Sequence, residues 1–402
     1  MRPHHVPALC AVAFAALSAC ADPAPVAPVA PSLPTAASAT DEAPLSVSRL
    51  YRPTELQFPR GGFDASARRV NDKGVAVGQS GYLYVGPSPY EPGTVQCRVA
   101  PAAAIWRQGQ VFMLHDVLVQ ALQMDPCRSW SHATDVNNHG VVVGTVFDDN
   151  WDGYSRGFVW SEATGVLAIQ EIGTTAMVAI TNRGLGVGYN YAEGPKMGER
   201  VFGWTQTGGT FEIPGPPRPL FNWELAIDVN DGGVVLGCSD TQVARWDARS
   251  IAELTSWICD VHTAAAPGIP EEYFGGGINE RGDAVFTATR TTSSTGGESR
   301  PVLWPKGAAA PVVAPWQVGG ATDVSDRGRL VGWWLVGAAR TMAAVTQRGG
   351  APPVALRSTA GGVVSVALGV NRCGDVVGWT QVPGGERKAM LWQIAACDAG
   401  GG

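Results

Sequence analysis

ATDVNNHGVVVG, residues 133–144, decides the fold, because the same twelve-residue pattern returns six more times. The other copies are ARRVNDKGVAVG from Ala67, MVAITNRGLGVG from Met177, AIDVNDGGVVLG from Ala226, GGGINERGDAVF from Gly275, ATDVSDRGRLVG from Ala321 and ALGVNRCGDVVG from Ala367. The spacings between successive turn glycines, Gly74 to Gly374, are 66, 44, 49, 49, 46 and 46 residues, a repeat with one insertion in its first unit. Small or β-branched residues precede the Asn and valines alternate after the Gly, as in paired strands. Asn-x-x-Gly between them predicts a type I turn, with Asn at its first position and Gly at positive φ.

About twenty residues on, a third strand ends in tryptophan at Trp106, Trp160, Trp204, Trp246, Trp304 and Trp392, with Thr346 in the sixth unit. A fourth short strand follows, as in QVFMLHDV, GVLAIQEI, GTFEIP and IAELTSW. Four antiparallel strands per unit, repeated seven times, predict an all-β, seven-bladed β-propeller across residues 45–398. The last unit supplies only three strands, so the alternating segment LSVSRLYRPTELQF (45–58) is expected to complete it and close the ring. The repeat tryptophans are expected between blades.

The NDxGxVVG and (R/K)-A-x-L-W elements resemble the bacterial HAF family of extracellular repeats, with the name-giving tripeptide varied as Arg156-Gly157-Phe158, Arg300-Pro301-Val302 and Lys388-Ala389-Met390. The resemblance covers roughly residues 65–395. It implies repeat identity and export, and no particular activity.

Ahead of the repeats, VPALCAVAFAALSA (6–19) has the length of a secretory apolar core and is too short for a membrane span. It ends Leu17-Ser18-Ala19-Cys20, which matches the bacterial lipobox. That pattern implies cleavage after residue 19, lipid attachment at Cys20 and anchoring by acyl chains. Ala21 after the cysteine points to the outer membrane. Residues 20–44 are a Pro/Ala-rich tether of polyproline II character, and residues 399–402 a disordered tail.

Composition sets the function classes. The 402-residue chain carries 29 basic and 35 acidic side chains, a formal charge of −6, with no basic stripe for nucleic acid. Six cysteines follow Cys20, an even number that reads as disulfides in an exported protein. Strand order narrows the fifteen connectivities to Cys97–Cys127, Cys238–Cys259 and Cys373–Cys397. A zinc site would need a CxxC or a close histidine pair, and neither occurs.

Loop lengths divide the two rims. The turns between strands one and two are tight, whereas segments 79–103, 147–156, 189–199, 214–224, 257–274 and 287–300 place the long loops on the other rim, where binding is expected. Asp148, Asn150 and Asp152 on that rim match the start of a calcium loop, D-x-N-x-D-G, although position twelve is Val159 rather than Glu. Calcium is therefore the one cofactor the residues suggest, beside the plainer reading of a solvated turn. Trp130, Trp151 and Trp223 are rim aromatics suited to stacking on a sugar or peptide, or to packing under the loops. Asp135, Asp228 and Asp323 share one slot in repeats two, four and six. They either face the channel as spaced carboxylates or bond backbone near the turn. No G-x-S-x-G, S-x-x-K, P-loop or HExxH motif occurs. The function expected is a non-catalytic envelope lipoprotein, held to the membrane by its lipid, whose long-loop rim binds a protein or polysaccharide. The alternative is a carbohydrate-active enzyme, a glycoside hydrolase or lyase using Asp135, Asp228 and Asp323.

Overall fold

The computed structural model describes residues 50–88, 93–148, 155–169, 174–192, 198–213, 225–238, 243–247, 251–255, 276–290, 298–314, 319–336, 340–346, 353–358, 362 and 364–394. These residues form seven four-stranded antiparallel sheets, a seven-bladed propeller. Six sheets consist of consecutive strands. In the seventh, the strand Tyr51–Glu55 pairs with the last strand, Arg387–Ile394, in the register Tyr51↔Ile394 to Glu55↔Met390. The N-terminal segment thus completes the last blade, and the ring has no open edge between its first and last repeats.

The Asn-x-x-Gly turns have the expected geometry, and they show why asparagine recurs. Asn71 Oδ1 accepts from the N–H groups of Lys73 and Val75 at 3.0 and 2.9 Å, which fixes its own turn. Its Nδ2 donates to the Asn137 carbonyl of the next blade at 2.9 Å. A primary amide carries its acceptor oxygen and its donor nitrogen on separate atoms, so one short side chain serves both bonds. The same donation runs from Asn137 to Thr181, Asn230 to Asn279, Asn279 to Ser325, and Asn371 back to Asn71. Thr181 and Ser325 keep the intra-turn role, accepting from Leu185 and Arg329, but have no amide to pass on.

The first strand of six blades carries a bulge one residue after the alanine-like position, for example between Ala133 and Asp135. The bulge drives a carbonyl toward the second strand and explains the glycine that closes the twelve-residue motif. A Cβ on Gly144 would stand 2.1 Å from the His132 carbonyl oxygen. Blade five reverses the roles: Phe286 occupies the second strand, and Gly276 opposite it gives the clearance, its Cβ position lying 1.6 Å from the Val285 oxygen.

The apolar interior is divided among the junctions. One buried cluster lies between each pair of neighbouring blades, including the pair formed by blades seven and one. The tryptophan ending each third strand sits in the cluster it shares with the preceding blade, so the expected inter-blade packing is observed. At the junction of blades five and six the tryptophan is missing. Thr346 there exchanges hydrogen bonds with Leu330, donating its N–H to the carbonyl and accepting at Oγ1, each at 2.9 Å. Because the apolar surface is buried between blades, a single blade has little core of its own.

Two sequence expectations change. QVFMLHDV is not one strand: Gln110–Met113 is extended, and Leu114–Ala121 is a helix that buries Leu114, His115, Leu118 and Val119 along one face. Residues 79–103 are not chiefly loop either, since the strands Ala76–Pro87 and Thr94–Arg107 extend through most of that span as a long hairpin.

The bulge makes a graded test. Gly144→Ala places a methyl on a carbonyl and is expected to cost about 3 kcal/mol. Gly140→Ala, in open space but at φ 78°, is expected to cost only about 1–2 kcal/mol. Urea melts of the two variants should rank them in that order; equal losses would contradict the bulge argument.

Candidate functional site

The slot two residues before the turn reads Arg69, Asp135, Ala179, Asp228, Gly277, Asp323 and Gly369 around the ring. Arg69 Nη2 lies 3.2 Å from Asp228 Oδ2 and its Nη1 lies 2.7 Å from Asp323 Oδ2. Side chains from blades one, four and six can meet only at the axis, so the aspartates do face the channel.

They also bond backbone, in a pattern the sequence did not foretell. Oδ1 of each accepts from the next residue's N–H: Val136, Val229 and Val324, at 2.8, 2.9 and 2.8 Å. Oδ2 reaches the following blade, accepting from Ile180, Ile278 and Val370 at 2.8, 3.0 and 2.9 Å. Each aspartate is therefore a staple from an even-numbered blade to the odd-numbered one after it. The receiving blades carry Ala179, Gly277 and Gly369 in the slot, and a Cβ on Gly277 would lie 2.3 Å from Oδ1 of Asp323, the aspartate of the blade after it. Three such pairs use six blades, and the odd seventh carries Arg69.

Burial dominates the electrostatics of this cluster. It pushes Asp135 up to about 6, with Arg69 opposing and Asp228 adding to the rise. It pushes Asp323 up to about 7 against the pull of Arg69, and Asp228 moves in the same direction for the same cause. The arginine keeps its proton firmly, because the three carboxylates outweigh its own desolvation.

At the opposite end of the molecule, the long-loop rim carries a built feature over blade one. Cys97, on the long hairpin, is disulfide-bonded to Cys127, just after the helix, as expected. Between hairpin and helix lies a cleft of about 210 Å³ lined by Tyr84, Pro87, Val119, Gln120, Gln123 and Met124, with Ser88 and Pro126 at its edge. Tyr84 Oη donates to the Pro87 carbonyl at 2.8 Å, and Tyr82 Oη bonds Asp116 Oδ1, tying hairpin to helix.

Beneath the cleft, His115 Nδ1 lies 2.7 Å from Ser131 Oγ. The pair looks like a serine–histidine dyad, but both residues are fully buried. Ser131 Oγ accepts the Ala103 N–H at 3.0 Å, and Ser129 Oγ, which donates to the Asp125 carbonyl at 2.6 Å, lies 3.5 Å from His115 Nε2. Burial pushes His115 down to about 4. The network fastens helix to blade two and offers a substrate no access.

The remaining expected site residues divide as follows. Trp130 stacks face to face on Phe147, its cross-strand partner, with centroids 3.6 Å apart, beside His132. That is packing on a sheet face. Asp148 is buried at the end of a strand, while Asn150, Asp152, Trp151 and Trp223 lie outside the described residues. Cys373 is disulfide-bonded and Cys238 is buried; their expected partners Cys397 and Cys259 lie outside the described residues. Cys20 lies outside them as well. Among the described residues no group of three or more His, Cys, Asp or Glu is placed to hold a metal ion, and no helix is long and apolar enough to cross a membrane.

No protein-family model matches the chain, and no curated protein matches it either. Solved structures do. The β-propeller domain of the Trilobed protease from Pyrococcus furiosus, described as having an open velcro topology, aligns over 85% of this chain and 98% of its own at 8% identity, with a TM-score of 0.52. TolB from Acinetobacter baumannii aligns over 67% and 61% at 11% identity with a TM-score of 0.38, and the fucose-recognising lectin of Aleuria aurantia over 67% and 93% at 10% with 0.35. At these identities the likeness is one of fold.

The neutral His115 is checked directly. Its folded value lies below the ordinary 6.5, so its contribution to stability is present above pH 6.5 and is lost as pH falls toward 4. Imidazole nitrogen shifts should report a neutral ring down to about pH 5. Ser131→Ala, which strands two polar groups, should cost about 1–3 kcal/mol in a urea melt. A ring that titrates near 6.5 would contradict the network.

Proposed function

We propose that the chain is a non-catalytic binding module of the bacterial envelope, lipid-anchored at Cys20 and taking a protein or polysaccharide on its long-loop rim. The observation that carries this reading is the cleft over blade one. There an extended hairpin, a helix and a disulfide are added to one repeat, on the rim where the long connections lie. Rigidly held loops and a preformed apolar cleft with a few polar groups are what recognition needs.

Tyr51 pairs with Ile394, whose N–H donates to Asp375 beside the last tight turn, so the first strand starts at the tight-turn rim, opposite the cleft.

The enzyme alternative rests on Asp135, Asp228 and Asp323. Carboxylate pairs in glycoside hydrolysis act with an oxygen directed at the sugar. Here both oxygens of each aspartate are already engaged with backbone N–H groups.

The test pairs peptide and glycan arrays with a hydrolysis screen on the full-length chain. Saturable binding without turnover is expected, and Gln120→Trp, which fills the cleft from an exposed position, should weaken it by about tenfold or more at unchanged melting temperature. Turnover abolished by Asp228→Asn would replace this reading with the enzyme. Cys20→Ser should release the chain from the membrane fraction, and retention would remove the lipid anchor from the account.

A further inference from the structure

We infer that Arg69, Asp135, Asp228 and Asp323 form a proton-operated lock at the channel axis, which stabilises the closed ring on mild acidification. The inference is independent of what the long-loop rim binds. It starts from a charge count. Three carboxylates surround one guanidinium in a slot where the other three blades contribute no charge. Blade three contributes Ala179, blade five Gly277 and blade seven Gly369. Fully ionised, the four side chains sum to −2; with two protons bound they sum to zero.

Among the described residues, Arg69 is the cation that acts on all three aspartates. Glu280 of blade five also feels Asp228, and its carboxylate accepts the Asp231 N–H at 2.9 Å. Burial, followed by the charges of Asp231, Asp326 and Asp228, pushes Glu280 up to about 7. The surroundings are thus acidic as well. Arg69 reaches Asp228 and Asp323 with its two terminal nitrogens, while Asp135 has no direct ion pair among the described contacts. Arg69 pulls on Asp135 at longer range, and Asp228 repels it.

Each aspartate accepts two backbone N–H groups, one on each oxygen. Protonation weakens the bond to the oxygen that takes the proton, while the carbonyl oxygen remains an acceptor and the new O–H can donate to an adjacent carboxylate. What disappears is repulsion among blades two, four and six across the axis. The direction follows from linkage. Folded values above the ordinary carboxylate range mean that the folded ring binds more protons than the unfolded chain. Their stabilising contribution is complete below about pH 4 and is lost as pH rises through about 6 to 7. His115 and His132 act oppositely, because burial holds both neutral when folded, but their effect fades above pH 6.5.

The experiment follows carboxyl carbon shifts in the full-length chain labelled at aspartate. Two axial carboxyls are expected to titrate with midpoints between about pH 5.5 and 7.5. In parallel, the unfolding constant from urea melts should rise about tenfold from pH 6.5 to 8.5, and Asp323→Asn should cut that rise by about threefold. Axial carboxyls that all titrate below about pH 4.5 would overturn the lock, as would a pH dependence that Asp323→Asn leaves unchanged. If the variant does not fold, the carboxyl titration of the unsubstituted chain decides alone.

Discussion

A backbone N–H at a tight turn must find an acceptor, and in this ring it finds one on the next blade. The Asp72 N–H donates to Asn138 Oδ1, Asn138 to Asn182, Asn182 to Asp231, Asp231 to Glu280, Glu280 to Asp326, and Arg372 to Asp72. Six of the seven turns thereby satisfy a neighbour's donor with their own side chains. The first-position asparagines add a second set of links, and the axial aspartates a third. Every junction is crossed by at least one of the three. The junction of blades six and seven, which has neither of the turn bonds, has the Asp323 staple. The single-residue signature Asn-x-x-Gly is thus a solution to closing a ring as much as to making a hairpin.

Parity explains the one basic residue at the axis. Each aspartate reaches a blade whose slot holds alanine or glycine, so large and small alternate around the channel. Alternation fails once in an odd ring, and the failure falls on blade one. Arg69 fills that position and neutralises part of the charge that the three staples accumulate. The cluster is structural in its bonds and uncompensated in its charge, and the second property follows from the first. The two rims consequently differ in kind. One is knotted to itself by reciprocal bonds, whereas the other carries the disulfide-stapled hairpin, the helix and the cleft.

Most of the fold was legible because the repeat encodes both the turn and the strand alternation. The closing role of residues 45–58 was legible from a missing fourth strand. The helix Leu114–Ala121 was not: its eight residues hold too few turns for a 3.6-residue period to stand out among valines. The axial aspartates were found, since identical residues in one column are conspicuous. Arg69 occupies the same column and was missed because it breaks the pattern; reading that column across all seven repeats would have exposed it. The cleft had no local signal at all. Tyr84 and Val119 are far apart in sequence and meet where the Cys97–Cys127 disulfide, the Tyr82–Asp116 bond and the shared apolar cluster bring hairpin and helix together.

The central claim is that the seven blades open as one body, since each junction is bonded to the next and the apolar core lies between blades. Native-state hydrogen exchange at the amides of Asn138, Asn182 and Arg372, which donate across three different junctions, tests it most directly. Equal opening free energies, within about 1 kcal/mol of each other and of global unfolding, are the predicted result. Opening energies graded from blade to blade, with one junction exchanging well before the rest, would contradict it.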